Sequence, residues 1–338
     1  AAGSRAVLPP VPGIDSAKVY TNDNVMRLDE LPARMVVIGG GVIAAEFSHA
    51  FSAFGTEVTQ LNRSSRLLRG VDEEVVARFE EAASKQWNIV KDASLSEIRE
   101  NADGSVTVVA KRTSENGEEL LEIPADAVLV ATGRRPNTDT LNAKNYFDVQ
   151  DGGQLSVDKY QRVLYNGAPV PGVYALGDVS SRYQLKHVAN HEARVVQHNL
   201  SHPEDLRASD HRYVPGAVFS NPQIAMVGMT EEQARQAAER EGFEITVKAQ
   251  NFGDTAYGWA MEDKIGLCKL IARKDNGELL GAHLVGEESS VLIQPLLQAM
   301  SFGMDARTLA RGQYWIHPAL TEIVENALLG LEFDEPAN

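Results

Sequence analysis

The sequence predicts an α/β chain that closes in an α+β domain, and two patterns predict it. A short apolar run at residues 35–38 passes straight into Gly39-Gly40-Gly41, then into an apolar-periodic segment over 42–54 and a second strand at 57–61. Strand, turn, helix and strand in that order read as a βαβ unit with a parallel sheet. From Tyr213 onward the order changes to strands and then helices, the α+β arrangement.

Residues 1–31 come first and run through VLPPVPGID, a proline-rich connection with no helical period. The glycine turn follows. Gly39, Gly41 and Ala44 keep the G-x-G-x-x-G/A spacing of a Rossmann-type dinucleotide site. Gly39 lets the chain turn off the strand, Gly41 lets the backbone approach a pyrophosphate, and Ala44 keeps the helix close to the sheet. The N-terminal amides and dipole of that helix then face the phosphates. Gly55 stands where a helix C-cap glycine belongs. After the second strand, an NAD site usually places an acid that bonds the ribose 2′-hydroxyl. This chain has Asn62 there, followed by Arg63, Arg66 and Arg69. Guanidinium groups pair with a 2′-phosphate that a carboxylate would repel, so the loop reads as selecting NADPH; the plain alternative is a solvated basic loop.

Further along, residues 72–86 carry an amphipathic helical pattern, and strands at 105–110 and 119–123 are joined by a loop containing Asn116-Gly117. A buried strand over 126–131 ends in Thr132-Gly133, which leaves bare backbone at the carboxyl edge of the sheet. Residues 156–164 and 172–176 read as strands. The second runs into Gly177-Asp178, whose acid either accepts a sugar hydroxyl or caps a helix. Residues 185–200 read as a helix with His187, His191, His198 and His202 roughly on one face. No cysteine or acid cluster completes a metal shell there, and no metal is expected.

In the last domain, strands fall at 217–219, 224–227, 244–250, 265–272 and 279–285. Thr230 and Gln233 form a capping box at a helix start, and Asp275-Asn276-Gly277 marks a hairpin. Helices follow at 290–302, 305–311 and 318–329. Cys268, between Leu267 and Lys269 inside a strand, reads as an inert core thiol.

The totals bound the function. The 338 residues suffice for two or three domains, and 43% hydrophobic with 23% charged residues is ordinary for a soluble globular protein. A net charge of −15 argues against a nucleic-acid or anionic-membrane surface. No apolar run reaches the length of a membrane span. One cysteine excludes an intrachain disulfide framework and fits a reducing, cytoplasmic compartment.

Four stretches, GGGVIAAE at Gly39, ATGRRPN at Ala131, GVYALGD at Gly172 and HPALTE at His317, together resemble the flavoprotein disulfide reductases. These include glutathione reductase, lipoamide dehydrogenase and mercuric reductase. VFSNPQIAMVGMTEEQA at Val218 is similar to the opening of that family's dimerisation domain, and the resemblance spans essentially the whole chain. NFGDTAYGWAMED and ARGQYWIHPALTEIVENALLGL point to an actinobacterial branch that reduces a low-molecular-weight thiol disulfide.

The resemblance implies a Rossmann-type NADPH-binding domain, part of a second, FAD-binding Rossmann-like domain, and an α+β dimerisation domain. The implied division is 1–32 for a remnant of the FAD domain, 33–133 for NADPH, 134–210 for FAD and 211–338 for dimerisation. NADPH would lie along Gly39, Gly41, Val42, Ile43, Ala44 and Glu46, with Asn62 at the strand end and Arg63, Arg66 and Arg69 at the 2′-phosphate. Val42 stands where many members carry a flavin-covering Tyr. FAD would meet Gly3, Gly133, Gly177, the Asp178 carboxylate and the Lys186 backbone.

The same resemblance makes His317 and Glu322 the acid/base pair of a homodimer, serving the partner's active site; without it, a His before a Pro-led helix is more often structural. Five residues apart on one helix would splay them by about 140°. The pairing therefore requires His317 ahead of the helix, with Pro318 in its first turn. An FAD fingerprint and a redox cysteine pair, expected upstream, are absent from these residues, so the chain reads as the C-terminal part of a longer enzyme, inactive alone. Other family members (a soluble transhydrogenase, a lipoamide dehydrogenase, a glutathione reductase-like enzyme) and a non-catalytic NADPH-binding dimerisation module are the alternatives. The presence of both His317 and Glu322 favours an enzyme.

Overall fold

The computed structural model describes residues 1–114 and 117–334. They fall into two compact units, Ala1–Leu8 with Thr132–His211, and Pro9–Ala131 with Arg212–Asn338.

In the larger unit, a parallel sheet runs in the order Val19–Tyr20, Ala127–Val130, Arg34–Ile38, Glu57–Leu61, Asn88–Val90. The central Arg34–Ile38 strand is covered on both faces, which explains its unbroken apolar run. Helix Val42–Ala53 buries Ala44, Ala45, Ser48 and Phe51. Helix Glu73–Ala83 starts from Asp72, whose carboxylate accepts the Glu74 amide, and buries Val75, Val76, Phe79 and Ala83. It stops three residues short of the expected 86, because Lys85 and Gln86 turn back onto the Ala82 and Ala83 carbonyls as Trp87 enters the core. A three-stranded antiparallel sheet, Ala93–Glu100, Val106–Ser114 and Gly117–Ala125, follows. Its first strand, ASLSEIRE, was not expected: only Ala93 and Ile98 are buried, so no apolar alternation shows. Asn116 of the expected turn lies outside the described residues.

The C-terminal part of this unit is a five-stranded antiparallel sheet in the order Gly216–Val218, Gln223–Gly228, Leu279–Gly286, Leu267–Arg273, Ile245–Asn251. The capping box at Thr230 and Gln233 opens helix Glu231–Glu241 as expected. Phe252, Leu270, Leu284, Leu296, Ile323 and Leu328 lie in one core beneath the sheet. The helix expected over 290–302 is two, Ser289–Leu292 and Gln294–Phe302, with Pro295 in the first turn of the second. The helix expected from Pro318 begins only at Glu322 and ends at Leu329. Ahead of it, residues 319–324 close tight turns, Glu322 N to Ala319 O at 3.2 Å and Ile323 N to Leu320 O at 3.1 Å.

In the smaller unit, Ser4–Ala6 pairs with Arg134–Pro136, and Arg162–Tyr165 with Ala168–Tyr174. Residues 1–31 thus contain strands too short to register as a period. The strand expected from 156 starts at Arg162, because the Asp158 carboxylate takes the Tyr160 and Arg162 amides and bends the chain. Helix Lys186–Ser201 runs as expected. Among the described residues, no helix is long and apolar enough to cross a membrane.

Candidate dinucleotide site and acid–base pair

The glycine turn is built by close approach. Gly39 has φ +141°, and a Cβ on it would lie 2.3 Å from the carbonyl oxygen of Ala131, just past the end of the neighbouring strand. Only glycine fits there. Gly40 is less constrained, since its Cβ would meet only the Asn62 side chain, with Oδ1 at 2.3 Å, and its backbone needs no positive φ. Gly41 differs. It is the N-cap of the helix in extended backbone, with nothing within 4 Å of a Cβ and no side-chain cap bond at the helix start. Uncapped amides beside open space suit a pyrophosphate. Ala44 is fully buried against the sheet, Ile43 is half-buried and Val42 is exposed.

Glu46 accepts the Phe219 amide at 2.9 Å; burial pushes its carboxyl above the ordinary range, a shift that this bond partly offsets. Asn62 is turned under the loop that follows it, donating to Ser64 O at 2.7 Å and Arg66 O at 3.0 Å. Arg63 is exposed on that loop. Arg66 donates to the Arg69 carbonyl at 3.0 Å, and both line a cleft of about 420 Å³ with Thr230, Glu231 and Arg235.

His317 and Glu322, the candidate acid–base pair, are hydrogen-bonded. His317 Nδ1 lies 2.7 Å from Glu322 Oε1, and Glu322 Oε2 accepts the Ala319 amide at 3.3 Å. A carboxylate only accepts, so Nδ1 carries the proton, on a side chain 67% exposed. The His317 bond, more than the Ala319 amide, holds the Glu322 carboxyl below its ordinary range. The geometry comes from the late helix start, not from Pro318 in a first turn: Glu322 is the first helical residue and reaches back over the 319–321 turn.

In the smaller unit, Asp178 sits in the 3-10 turn Gly177–Val179 and its Oδ2 accepts from Ser4 Oγ at 2.6 Å. Ser4 is itself held by Arg134 Nε at 2.8 Å. Gly177 has φ +70° and donates its amide to buried Glu192 at 2.7 Å. Gly3 and Gly133 both have positive φ with open space where a Cβ would point. Lys186 is the exposed first residue of a helix with no side-chain cap. Open glycines, a fixed acid and uncapped amides are a donor set that fits a nucleotide cofactor. His198 and His202 stack at 4.5 Å, and no group of three metal-ligating side chains occurs among the described residues. Cys268 is fully buried, and burial pushes its thiol far above the ordinary range.

A Rossmann turn, a hydrogen-bonded His–Glu pair and an antiparallel C-terminal domain define a pyridine nucleotide enzyme. The chain belongs to the pyridine nucleotide-disulphide oxidoreductase family, which residues 1–193 match, while residues 214–328 match that family's dimerisation domain. It is a flavoprotein disulfide oxidoreductase, of a family that depends on FAD and uses NADPH. Among its relatives, the mycothione reductase of Mycobacterium tuberculosis is 51% identical over 336 residues, covering 98% of this chain and 69% of that protein. A dihydrolipoyl dehydrogenase of Synechocystis is 32% identical over 96% of this chain and 68% of its own length. The solved HOCl-induced flavoprotein disulfide reductase of Escherichia coli superposes with a TM-score of 0.83 at 29% identity, over 98% of this chain and 72% of that one.

Proposed function

We propose that this chain takes NADPH at the Gly39–Glu46 turn and FAD at Gly3, Gly133, Gly177, Asp178 and Lys186, in a reductase of mycothiol disulfide. We further assign it to a cytoplasmic homodimer divided at 32, 133 and 210, with His317 and Glu322 serving the partner's site. The observation that carries the reading is the His317–Glu322 bond, since a binding module has no use for an exposed, oriented imidazole. Glu322 fixes the tautomer and orientation of the ring, so Nε2 is placed to give a proton to a departing thiolate and take it back. Arg63, Arg66 and Arg69 supply cations for a 2′-phosphate. FAD, when bound, supplies the two-electron relay between nicotinamide and disulfide. The dithiol that would attack the substrate is not formed by these residues, whose single cysteine is buried.

The half-reaction tests the reading. With FAD and the purified chain under anaerobic conditions, NADPH should bleach the visible flavin absorbance, and NADH should do so far more slowly. Equal bleaching by both would sink the NADPH assignment, and a flavin that never binds would mean that these residues do not hold FAD without the fingerprint expected upstream. Calorimetry with mycothiol disulfide and glutathione disulfide then tests the substrate, the first being expected to bind more tightly.

A further inference from the structure

The loop carrying Arg63, Arg66 and Arg69 is fastened by Asn62 at its start and by Glu80 of a neighbouring helix. Glu80 is half-buried on helix Glu73–Ala83. Its Oε1 accepts the Leu67 amide at 2.8 Å, and its Oε2 pairs with Lys91 Nζ. Asn62, 4% exposed, bonds the Ser64 and Arg66 carbonyls. The Leu68 amide bonds Gly40 O at 2.7 Å, and Leu67 and Leu68 are both buried. Every arginine of the loop is thus within three residues of a backbone atom that is tied down. A separate relay holds the phosphate turn: Trp87 Nε1 donates to Gln60 Oε1 at 2.9 Å, and Gln60 Nε2 to Gly39 O at 3.0 Å, with Gln60 fully buried. Two separate fixtures therefore hold the glycine turn and the arginine loop.

We propose that Glu80, backed by Lys91, is a positioning residue for 2′-phosphate recognition: it orders the arginine loop before the ligand arrives and takes no part in holding the pyrophosphate. The proposal rests on reading the loop arginines as 2′-phosphate ligands. A loop that must order on binding subtracts that ordering from affinity, so a loop held in advance binds more tightly. A carboxylate taking a backbone amide with a lysine alongside makes a charge-assisted bond, stronger than a neutral one.

The test is calorimetry of the purified chain with 2′-phospho-ADP-ribose and with ADP-ribose, which differ only in the 2′-phosphate. The unaltered chain should prefer the phosphorylated ligand. Glu80→Ala should weaken it about tenfold while changing ADP-ribose less than about twofold, tenfold being ~1.4 kcal/mol. Glu80→Gln keeps an acceptor oxygen for Leu67 and should retain most of the preference. Gln60→Ala acts at Gly39 and should weaken both ligands alike. Should Glu80→Ala fail to fold, Lys91→Met carries the same decision, with an expected loss of about threefold confined to the phosphorylated ligand. Equal weakening of both ligands by Glu80→Ala, or no weakening of either, overturns the proposal. If a chain with Arg63→Ala and Arg66→Ala loses the preference and Glu80→Ala does not, the positioning role falls and the arginine reading stands. If the arginine substitutions leave the preference intact, or the unaltered chain shows none, the arginine reading falls and the proposal with it.

Discussion

At the scale of single residues, two glycines two positions apart have separable jobs. Gly39→Ala would drive a Cβ to 2.3 Å from the Ala131 carbonyl at a φ of +141°, so it should destabilise the free chain by about 2 kcal/mol and lower its unfolding midpoint. Gly41→Ala meets nothing in the free chain and should leave its unfolding free energy within about 0.5 kcal/mol. It should nonetheless weaken NADPH, the added methyl standing in the path proposed above for the pyrophosphate. Titration of both variants beside their denaturation curves decides it; Gly41→Ala binding like the unaltered chain would end the close-approach account. The His317–Glu322 pair makes a prediction about acid. The folded carboxyl of Glu322 lies below its unfolded value, so the stability it contributes is present above that value and is lost as pH falls through the folded one. His317→Ala should raise the Glu322 pKa part of the way back, the Ala319 amide keeping the remainder, as a carbon-detected NMR titration would show.

At the scale of elements, the most informative junction was invisible in the sequence. Lys269, inside the Leu267–Arg273 strand, is 4% exposed, with Nζ 2.9 Å from Asp72, 3.2 Å from Glu74 and 2.7 Å from Glu231. Asp72 caps one helix, while Glu231 opens another and gives its amide to Asp72 at 3.1 Å. Burial is the largest influence and pushes the Asp72 and Glu231 carboxyls up, but Lys269 together with the Glu231 amide on Asp72 and Arg235 on Glu231 brings the net shift down. Burial likewise lowers Lys269, and its carboxylate partners more than reverse that. The acids' contribution to stability is therefore lost as pH falls below their ordinary values of 3.8 and 4.5, and that of Lys269 as pH rises beyond 10.5. Lys269→Met should cost about 3 kcal/mol at neutral pH by stranding the buried Asp72, and should remove the loss above pH 10.5. Urea denaturation across pH tests both statements.

Lys269 was illegible because a lysine in a strand reads as a solvent-facing residue, and its partners lie far off in sequence. Local signals fared better. The glycine turn, the Thr230 capping box and the Glu57–Leu61 strand were plain, because each is decided by neighbours within a few residues. Gln60 and Glu80 carried only a faint signal, a polar side chain in an otherwise apolar stretch, since their bonds to the loops depend on the fold. The start of the last helix was misplaced for a related reason. Proline suits a first helical turn, but the turns at 319–324 and the bond from Glu322 back to Ala319 decide the boundary.

At the scale of the whole molecule, charge and exposed apolar surface make opposing demands on assembly. Each copy carries a net charge of −15, so two copies repel at low ionic strength. Yet the region matching the dimerisation domain leaves Val291, Phe302, Tyr314 and Ile316 between 61% and 103% exposed in the single chain. Large exposed side chains of this kind mark surfaces that are covered in an assembly. Repulsion between net charges is long-ranged and screened by salt, whereas apolar contact is not. Self-association should therefore strengthen as salt rises from about 0.01 M to about 0.15 M, where the screening length falls from about 30 Å to about 8 Å. Tyr314→Asp combined with Ile316→Asp should abolish the association at every salt concentration, by adding buried charge where apolar surface was covered. Sedimentation equilibrium decides both points. An association that weakens with salt would mean that ion pairs across the interface hold the copies together, and an unaffected double variant would place that interface elsewhere on the chain.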